Sequence, residues 1–409
     1  MHILFISDNF PPEINAPASR TFEHCREWVA FGNNVTVITC TPNFPKGKVY
    51  AGYHNKPYQV EYMAGIRVIR VWTYIAANSG TKKRVLDYLS FMVSSIVAGI
   101  FIKKVDVIIG TSPQFFTACS AYVLSILKKK PWIFELRDIW PESIHTVGAI
   151  KNSRAINILT MLELFLYRRA TRIISVTHSF KKILIQRGIQ EDKIFVVTNG
   201  VDLNFFTRPD EPKDLILHHK LNGKFIAGYI GTHGMAHGLE TLLDAAKILQ
   251  ERYPEEDLHI LMVGDGAEKA ALIDRSSNEA LQNVTLLGSV SKTDVTRYLS
   301  LLDVSIIHLK NSPLFRAVIP SKMFESMAMG IPIAHGVLGE SAEIVTDEAV
   351  GIVFEPGDAE ALVNTLLKLK QNPALMKTYR RNGIRAAKRY NRRQLAKDML
   401  EIIGDFESP

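Results

Sequence analysis

The sequence predicts an α/β protein built from two doubly wound domains. Three observations lead there. At 409 residues the chain is too long for one ordinary core, and two domains of roughly 200 residues are the natural division. Its strand-length apolar runs are continuous and Val/Ile-rich, without polar alternation, as in parallel strands buried on both faces. These runs alternate with amphipathic stretches, which is the β-α-β rhythm, and the rhythm restarts after a polar, proline-bearing break.

In the first half, strands are expected at Ile3–Ser7, Val35–Thr39, Ile66–Val71, Asp106–Gly110, Ile133–Leu136, Arg172–Val176 and Ile194–Thr198. Helical stretches fall between them at Ser19–Phe31, Gln114–Lys128, Asn152–Arg169 and Ser179–Arg187. The break runs from Phe206 to Lys213 and carries Pro209 and Pro212. After it come strands at Phe225–Ile230, His259–Val263, Val284–Leu287, Val304–His308, Ile331–Ala334 and Ile352–Phe354, then a helical tail from Ala359. The expected division is a first domain at 1–205, a linker at 206–222, a second domain at 223–385 and a helical tail at 386–409. A return of that tail to the first domain is left open. Ligands of such domains sit at the C-terminal ends of the strands, in a cleft.

The net charge of +8 is unevenly placed. Residues 1–200 hold 25 Lys/Arg against 13 Asp/Glu, an excess of 12, and the remainder holds 24 against 28. The basic half is therefore suited to an anionic surface. No aromatic-interleaved basic stretch supports nucleic acid. Cys25, Cys40 and Cys119 are too sparse and scattered for a disulfide framework or a metal site, and suit a reducing compartment as small buried residues. The chain opens on a strand-length apolar run with no basic leader, so no signal peptide is expected.

Tyr88–Ile102 is fifteen residues without a charge, flanked by Lys82-Lys83-Arg84 and Lys103-Lys104. It is short for a membrane span, which needs about 20 apolar residues. Two readings are open: a buried core helix, or a helix that docks in a membrane interface through Met92 and Ile96. In the second, each basic flanking residue gains about 1 kcal/mol from anionic lipid. Lys128-Lys129-Lys130 and Arg168-Arg169 extend the same face.

The loop after the first strand, Asp8 to Arg20, lacks the G-x-G-x-x-G of a dinucleotide-binding domain, which argues against a nicotinamide or flavin enzyme. No Asp-x-Asp occurs anywhere, so the usual carboxylate pair for a nucleotide-bound divalent ion is missing. His233 and His237 are four apart, but Gly234 and Gly238 argue against the helix that would pair them on a metal.

The order of motifs resembles the retaining glycosyltransferases of GT-B family 4, over nearly the whole chain. It runs through the Phe10-Pro11-Pro12-Glu13 loop, Glu135-Leu136-Arg137-Asp138-Ile139-Trp140-Pro141-Glu142, and Thr198-Asn199-Gly200-Val201-Asp202. It continues with Tyr229-Ile230-Gly231-Thr232-His233-Gly234, Val263-Gly264-Asp265-Gly266, and Pro320-Ser321-Lys322-Met323-Phe324-Glu325 through Pro332. The resemblance implies two Rossmann-like domains, a nucleotide-sugar donor as substrate, retention of configuration, and no metal or other cofactor. The first domain is then the acceptor side and the second the donor side.

Ser321 opens a helix, where a hydroxyl caps orphan N–H groups and the helix end favours phosphate. Glu325 lies one turn on, on the same face. The resemblance gives it the donor ribose, each charge-assisted hydrogen bond contributing roughly 1.5–3 kcal/mol. Gly231, His233, Arg316 and Lys322 are expected at the donor diphosphate, together with Asn15 and Ala16, which replace the family's usual small-residue pair. Asp138 is expected near the acceptor hydroxyl or the donor anomeric carbon, against a structural reading as a helix cap or ion pair with Arg137. Two departures stand out. The family often shows Glu-x7-Glu, but Ala317 stands eight before Glu325; the loop after the second domain's first strand also lacks the family's fixed cations.

The expected activity is transfer of a sugar, most simply from a uridine diphosphate donor, to a polyprenyl-diphosphate-linked saccharide at the inner face of the cytoplasmic membrane, in surface polysaccharide assembly. A nucleotide-sugar 2-epimerase and a non-catalytic nucleotide-sugar-binding subunit are the alternatives.

Overall fold

The computed structural model describes residues 1–409 apart from 45–46, 76–80, 140–152, 210–211 and 406–409, and apart from the side chains of 81, 82, 153 and 155. The Trp140–Glu142 end of the second motif, Asp210, Glu211 and the side chain of Lys82 therefore lie outside the described residues. The chain divides into two compact units, Met1–Asn199 with Arg392–Pro409, and Gly200–Asn391.

The first unit comprises β1 (His2–Ile6), α1 (Ala16–Ala30), β2 (Asn34–Cys40), β3 (Tyr58–Met63), β4 (Ile66–Val71), α2 (Thr81–Ile100), β5 (Val107–Thr111), α3 (Phe115–Lys128), β6 (Trp132–Leu136), α4 (Ser153–Arg169), β7 (Arg172–Ser175), α5 (His178–Gln186) and β8 (Ile194–Val196). Its sheet has the order β3-β4-β2-β1-β5-β6-β7-β8. All pairs are parallel except β3 with β4, which run antiparallel with Tyr58 opposite Val71 and Met63 opposite Ile66. The β3 strand was not foreseen, because Tyr58–Met63 (YQVEYM) alternates exposed and half-buried residues at a sheet edge and so lacks a continuous apolar run.

One face of this sheet presents Ile3, Phe5, Val35, Val37, Val107 and Ile109 to Trp28 of α1 and to Leu395, Met399 and Ile403. The last three belong to a C-terminal helix, Arg392–Gly404, that closes the first unit's core although it ends the chain. Trp28 Nε1 donates to Ala396 O at 2.8 Å, and Arg392 meets Glu23 at 2.9 Å with both side chains buried. The other face carries α2 and α3, packed on each other and on the strands. Cys25 and Cys40 are buried and Cys119 half-buried, all unpaired thiols.

The second unit follows with α6 (Lys213–His218), β9 (Phe225–Ile230), α7 (Glu240–Arg252), β10 (Leu258–Val263), α8 (Lys269–Asn278), β11 (Val284–Leu287), α9 (Lys292–Ser300), β12 (Val304–His308), α10 (Lys322–Ala328), β13 (Ile333–Gly336), α11 (Glu340–Asp347), β14 (Gly351–Val353), α12 (Ala359–Lys370) and α13 (Pro373–Ala387). With the first unit's closing helix as α14, these are the elements used below. The strand order β11-β10-β9-β12-β13-β14 is wholly parallel and is that of dinucleotide-binding folds. One sheet face packs Tyr229, Ile260 and Ile306 against α7 and α12; the other packs Ile226, Leu261 and Ile307 against α10 and α13.

The division falls at Asn199/Gly200, ahead of the stretch 206–222 expected as a linker. Phe206 and Leu221 are buried in the second unit's core, and α6 lies between them. Pro212 immediately precedes that helix. Among the described residues no helix is long and apolar enough to cross a membrane.

Candidate functional site

In open parallel sheets, ligands collect at the strand ends where the order reverses. In the second unit that place is between β9 and β12. The loops after β9 and β10 are in backbone contact there: His233 N donates to Asp265 O and Glu268 N to His233 O, both at 2.9 Å. Glycine is required at the contact. Gly264 holds φ +153°, and a Cβ on it would fall 1.8 Å from Gly231 O.

Lys322, the first residue of α10, reaches into this place. Its Nζ lies 3.7 Å from the centroid of the Tyr229 ring, and a Cβ on Gly231 would stand 2.7 Å from it. The Nζ is buried and has no hydrogen-bond partner. Burial pulls its pKa down to about 7, with Glu325 acting in the opposite direction. His233 is fully buried beside it, with neither ring nitrogen hydrogen-bonded. Burial, then Lys269 and Lys322, lower its pKa to about 4. The His237 ring lies 6.0 Å from that of Tyr229, and its pKa is lowered to about 3, chiefly by burial. Buried polar groups in native proteins are nearly always hydrogen-bonded. An ammonium and an imidazole left without partners on a glycine-lined strand end therefore form a cradle for an anion.

The structure thus brings Gly231, His233 and Lys322 together. Glu325 follows Lys322 by one turn on α10, half-exposed, close enough to act on its charge. Ser321 precedes α10 but does not cap it: its backbone is helical (φ −60°, ψ −30°), and the side chain makes no capping bond. The expectation of a hydroxyl cap there is corrected, since capping needs an extended residue at that position. Arg316 is exposed on a 3₁₀ turn, with Asn311 Oδ1 3.4 Å from its guanidinium. Ala317 is buried in the same turn.

In the first unit the order reverses between β1 and β5. Asn15 caps α1 by accepting from Ala18 N at 2.8 Å, and its amide donates to Asn9 Oδ1 at 2.7 Å. Its side chain is thus engaged in holding the loop, while Ala16 is exposed. Arg137 reaches this corner, donating to Pro17 O at 3.2 Å and Ala16 O at 3.1 Å. Burial lowers its pKa to about 9. Ser112 Oγ, at the end of β5, accepts from the backbone N–H groups of Arg137 and Asp138 at 2.7 and 3.1 Å. Asn15, Ala16, Arg137 and Asp138 thereby form one connected rim at the C-terminal edge of the sheet.

Beneath the rim, Arg20 donates to Glu135 and to the carbonyls of Val197 and Thr198, tying α1 to the ends of β6 and β8. Burial opposes the charge of Glu135, but Arg20 and Arg137 together hold its carboxyl below the usual range. At the end of β1, burial and the carboxylates of Asp87 and Glu13 push Asp8 up to about 8.

The Tyr88–Ile102 segment divides along its length. Phe91, Ser95 and Ala98 are buried, whereas Val93, Val97, Ile100 and Phe101 are exposed. Met92 and Ile96, expected on the outer face, are only partly exposed, one position out of phase with the outer ridge. Lys83, Arg84, Lys103 and Lys104 are exposed around it, and exposed Lys129 and Lys130 follow the adjoining α3.

The family model for glycosyl transferases group 1 matches residues 214–389, and that for glycosyltransferase family 4 matches 18–205. The chain is 26% identical over 376 residues to the putative colanic acid biosynthesis glycosyl transferase WcaI of Escherichia coli K12, covering 89% of this chain and 90% of that one. It is 25% identical to the UDP-Gal:alpha-D-GlcNAc-diphosphoundecaprenol alpha-1,3-galactosyltransferase of Escherichia coli, covering 58% and 62%. Its fold matches a sucrose-phosphate synthase of Thermosynechococcus elongatus (TM-score 0.79, 18% identity, 98% of both chains). It also matches HepE of Anabaena in complex with UDP-glucose (TM-score 0.73, 16% identity, 99% and 100%). The chain belongs to the GT-B glycosyltransferases.

For this glycosyltransferase the sequence pointed to Lys322 and His233 but not to Tyr229, the ring on which Lys322 lies. The available signal was a hydroxyl-bearing tyrosine near the end of an otherwise apolar strand, FIAGYI. Arg20 was also missed. It precedes His24 and Trp28 by four and eight residues, so it shares the buried face of α1, and a cation there needs a buried partner.

Proposed function

We propose that this glycosyltransferase takes a sugar from a uridine diphosphate donor held by its second unit. It passes that sugar, with retention, to a polyprenyl-diphosphate-linked saccharide presented at an anionic membrane surface on the cytoplasmic side. The observation that carries the donor assignment is the buried, partner-free Nζ of Lys322 beside Gly231 and His233. A diphosphate there supplies the acceptors these groups lack, and the charge-assisted bonds are stronger than neutral ones. The UDP-glucose complex of HepE supports uridine as the base. Glu325, one turn along α10, is assigned to the ribose hydroxyls.

The lipid-linked acceptor is supported by the acceptor that the Escherichia coli galactosyltransferase is named for, and surface polysaccharide assembly by WcaI. Membrane contact is supported by the outer face of α2 and α3, where exposed Val93, Val97, Phe101, Ile126 and Leu127 stand among exposed lysines. Apolar side chains ringed by cations suit an interface of anionic lipid. Asp138 is assigned to the acceptor hydroxyl or to the charge developing on the sugar ring. We further assign metal-independent chemistry, with Lys322 and backbone N–H groups neutralising the leaving diphosphate.

The test is a donor panel with a prenyl-diphosphate-sugar acceptor in EDTA, read by mass spectrometry for wild type and Asp138→Ala. Acceptor gaining one sugar mass with the wild type alone, with NMR of the product showing the donor's anomeric configuration kept, supports the reading. Donor converted without acceptor makes it an epimerase, and donor bound without conversion makes it a binding subunit.

A further inference from the structure

Lys322 is set where a surface lysine does not rest. Its side chain runs from the start of α10 onto the face of Tyr229, 3.7 Å from the ring centroid, with the ammonium nitrogen buried and making no hydrogen bond. A ring face offers a cation some attraction, but it replaces none of the three hydrogen bonds that water gives an ammonium. We propose that the Tyr229 face is the resting position of Lys322, and that a diphosphate arriving at the Gly231 loop engages its amine with uptake of a proton, so that donor binding is coupled to protonation. The inference rests on the donor reading above and adds to it a linked proton and a residue that sets it.

Several titratable and charged groups face this amine. Tyr229, from β9, has its own ionisation raised by burial and stays neutral. His233 and His237, from the loop after β9, are held neutral with pKa values near 4 and 3. Glu325, on α10, favours the charged amine. Asp265 and Lys269, after β10, bear on His233 with opposite signs. Of Tyr229, His233, His237 and Lys322, it is Lys322, at about 7, whose charge changes between pH 6 and 8. A dianionic diphosphate favours the charged form and raises that value on binding. The bound state then holds more protons than the free protein above pH 7, and affinity falls as pH rises.

UDP-glucose is a suitable probe, because its diphosphate is a diester with no group that titrates near neutrality. Calorimetry at pH 8 in two buffers of different ionisation heat should show close to one proton taken up per site, falling towards none at pH 6. The Kd should rise about tenfold from pH 6 to pH 8. Lys322→Arg, whose guanidinium keeps its proton, should bind with no uptake and a flat pH profile; Lys322→Met should bind weakly, also without uptake. Binding by the wild type with no uptake at pH 8 overturns the inference and leaves the donor reading standing. Uptake that survives in both variants assigns the proton elsewhere and also overturns it. If neither UDP-glucose nor GDP-mannose binds, the donor reading fails and the inference falls with it.

Discussion

Arg20 Nε lies 2.9 Å from Glu135 Oε1, with the two side chains 1% and 2% exposed. The pair joins a helix to a central strand inside the first unit, and the same guanidinium spans to the carbonyls that end β8. A buried ion pair contributes little net stability, but breaking it leaves a charge in a dry interior. Arg20→Ala should therefore destabilise the first unit by about 3–5 kcal/mol in urea unfolding. The double change Arg20→Met, Glu135→Leu should recover part of that loss, because the two paired charges leave together while Arg137 loses the carboxylate beside it. Equal losses in the single and double variants would remove the electrostatic account.

At the cradle proposed for the donor, Gly231 is more confined than its neighbours in sequence suggest. Its φ of +150° disfavours a side chain, and a Cβ would press on Lys322 Nζ. Gly231→Ala should weaken nucleotide-sugar binding about tenfold or more, which is about 1.4 kcal/mol. Glu325→Ala should do the same through lost ribose bonds. Calorimetry on both variants, with circular dichroism as the check on folding, decides whether these residues belong to the donor site.

Three fully or largely buried histidines make the protein sensitive to acid. His233 and His259 sit near pKa 4 and His335 near 3, each lowered chiefly by burial. Unfolded, each returns to about 6.5. Between these values the unfolded chain binds more protons, so stability is complete above pH 6.5 and is lost as pH falls towards 4. Each group contributes up to about 1.4 kcal/mol per pH unit in that window. The unfolding midpoint in urea should drop steadily from pH 7 to pH 5, and an unchanged midpoint would show that these rings protonate inside the fold.

Membrane contact makes a prediction that depends on helix phase. Val93→Asp with Val97→Asp should abolish sedimentation with phosphatidylglycerol vesicles and leave the thermal transition within a few degrees of wild type. Phe91→Asp, at a fully buried position, should unfold the first unit instead. Retained vesicle binding by the first variant would exclude the α2 face as the contact.

The sequence by itself determined the fold class, most strand positions and the place of the glycine-rich turns. Buried parallel strands and tight turns leave local signatures, a continuous apolar run or a glycine, that are legible one segment at a time. It also pointed to Lys322 and His233 through motif order. Only the tertiary structure decided what each polar side chain touches. It showed that Asn15 is spent on capping α1, that Ser321 caps nothing, that Tyr229 carries Lys322, and that Arg20 answers Glu135 across 115 residues of chain. It also shifted the outward ridge of α2 from Met92 and Ile96 to Val93 and Val97. From Tyr88 onward this helix carries no charge, so no charged face marks its orientation and the neighbour it packs against sets it. The final helix is the clearest case: its sequence marks it as helical, but only the buried faces of Trp28 and the β1–β2 strands make it part of the first unit. Contacts between distant segments are chosen by burial and partner supply over the whole chain, and no local pattern records that choice.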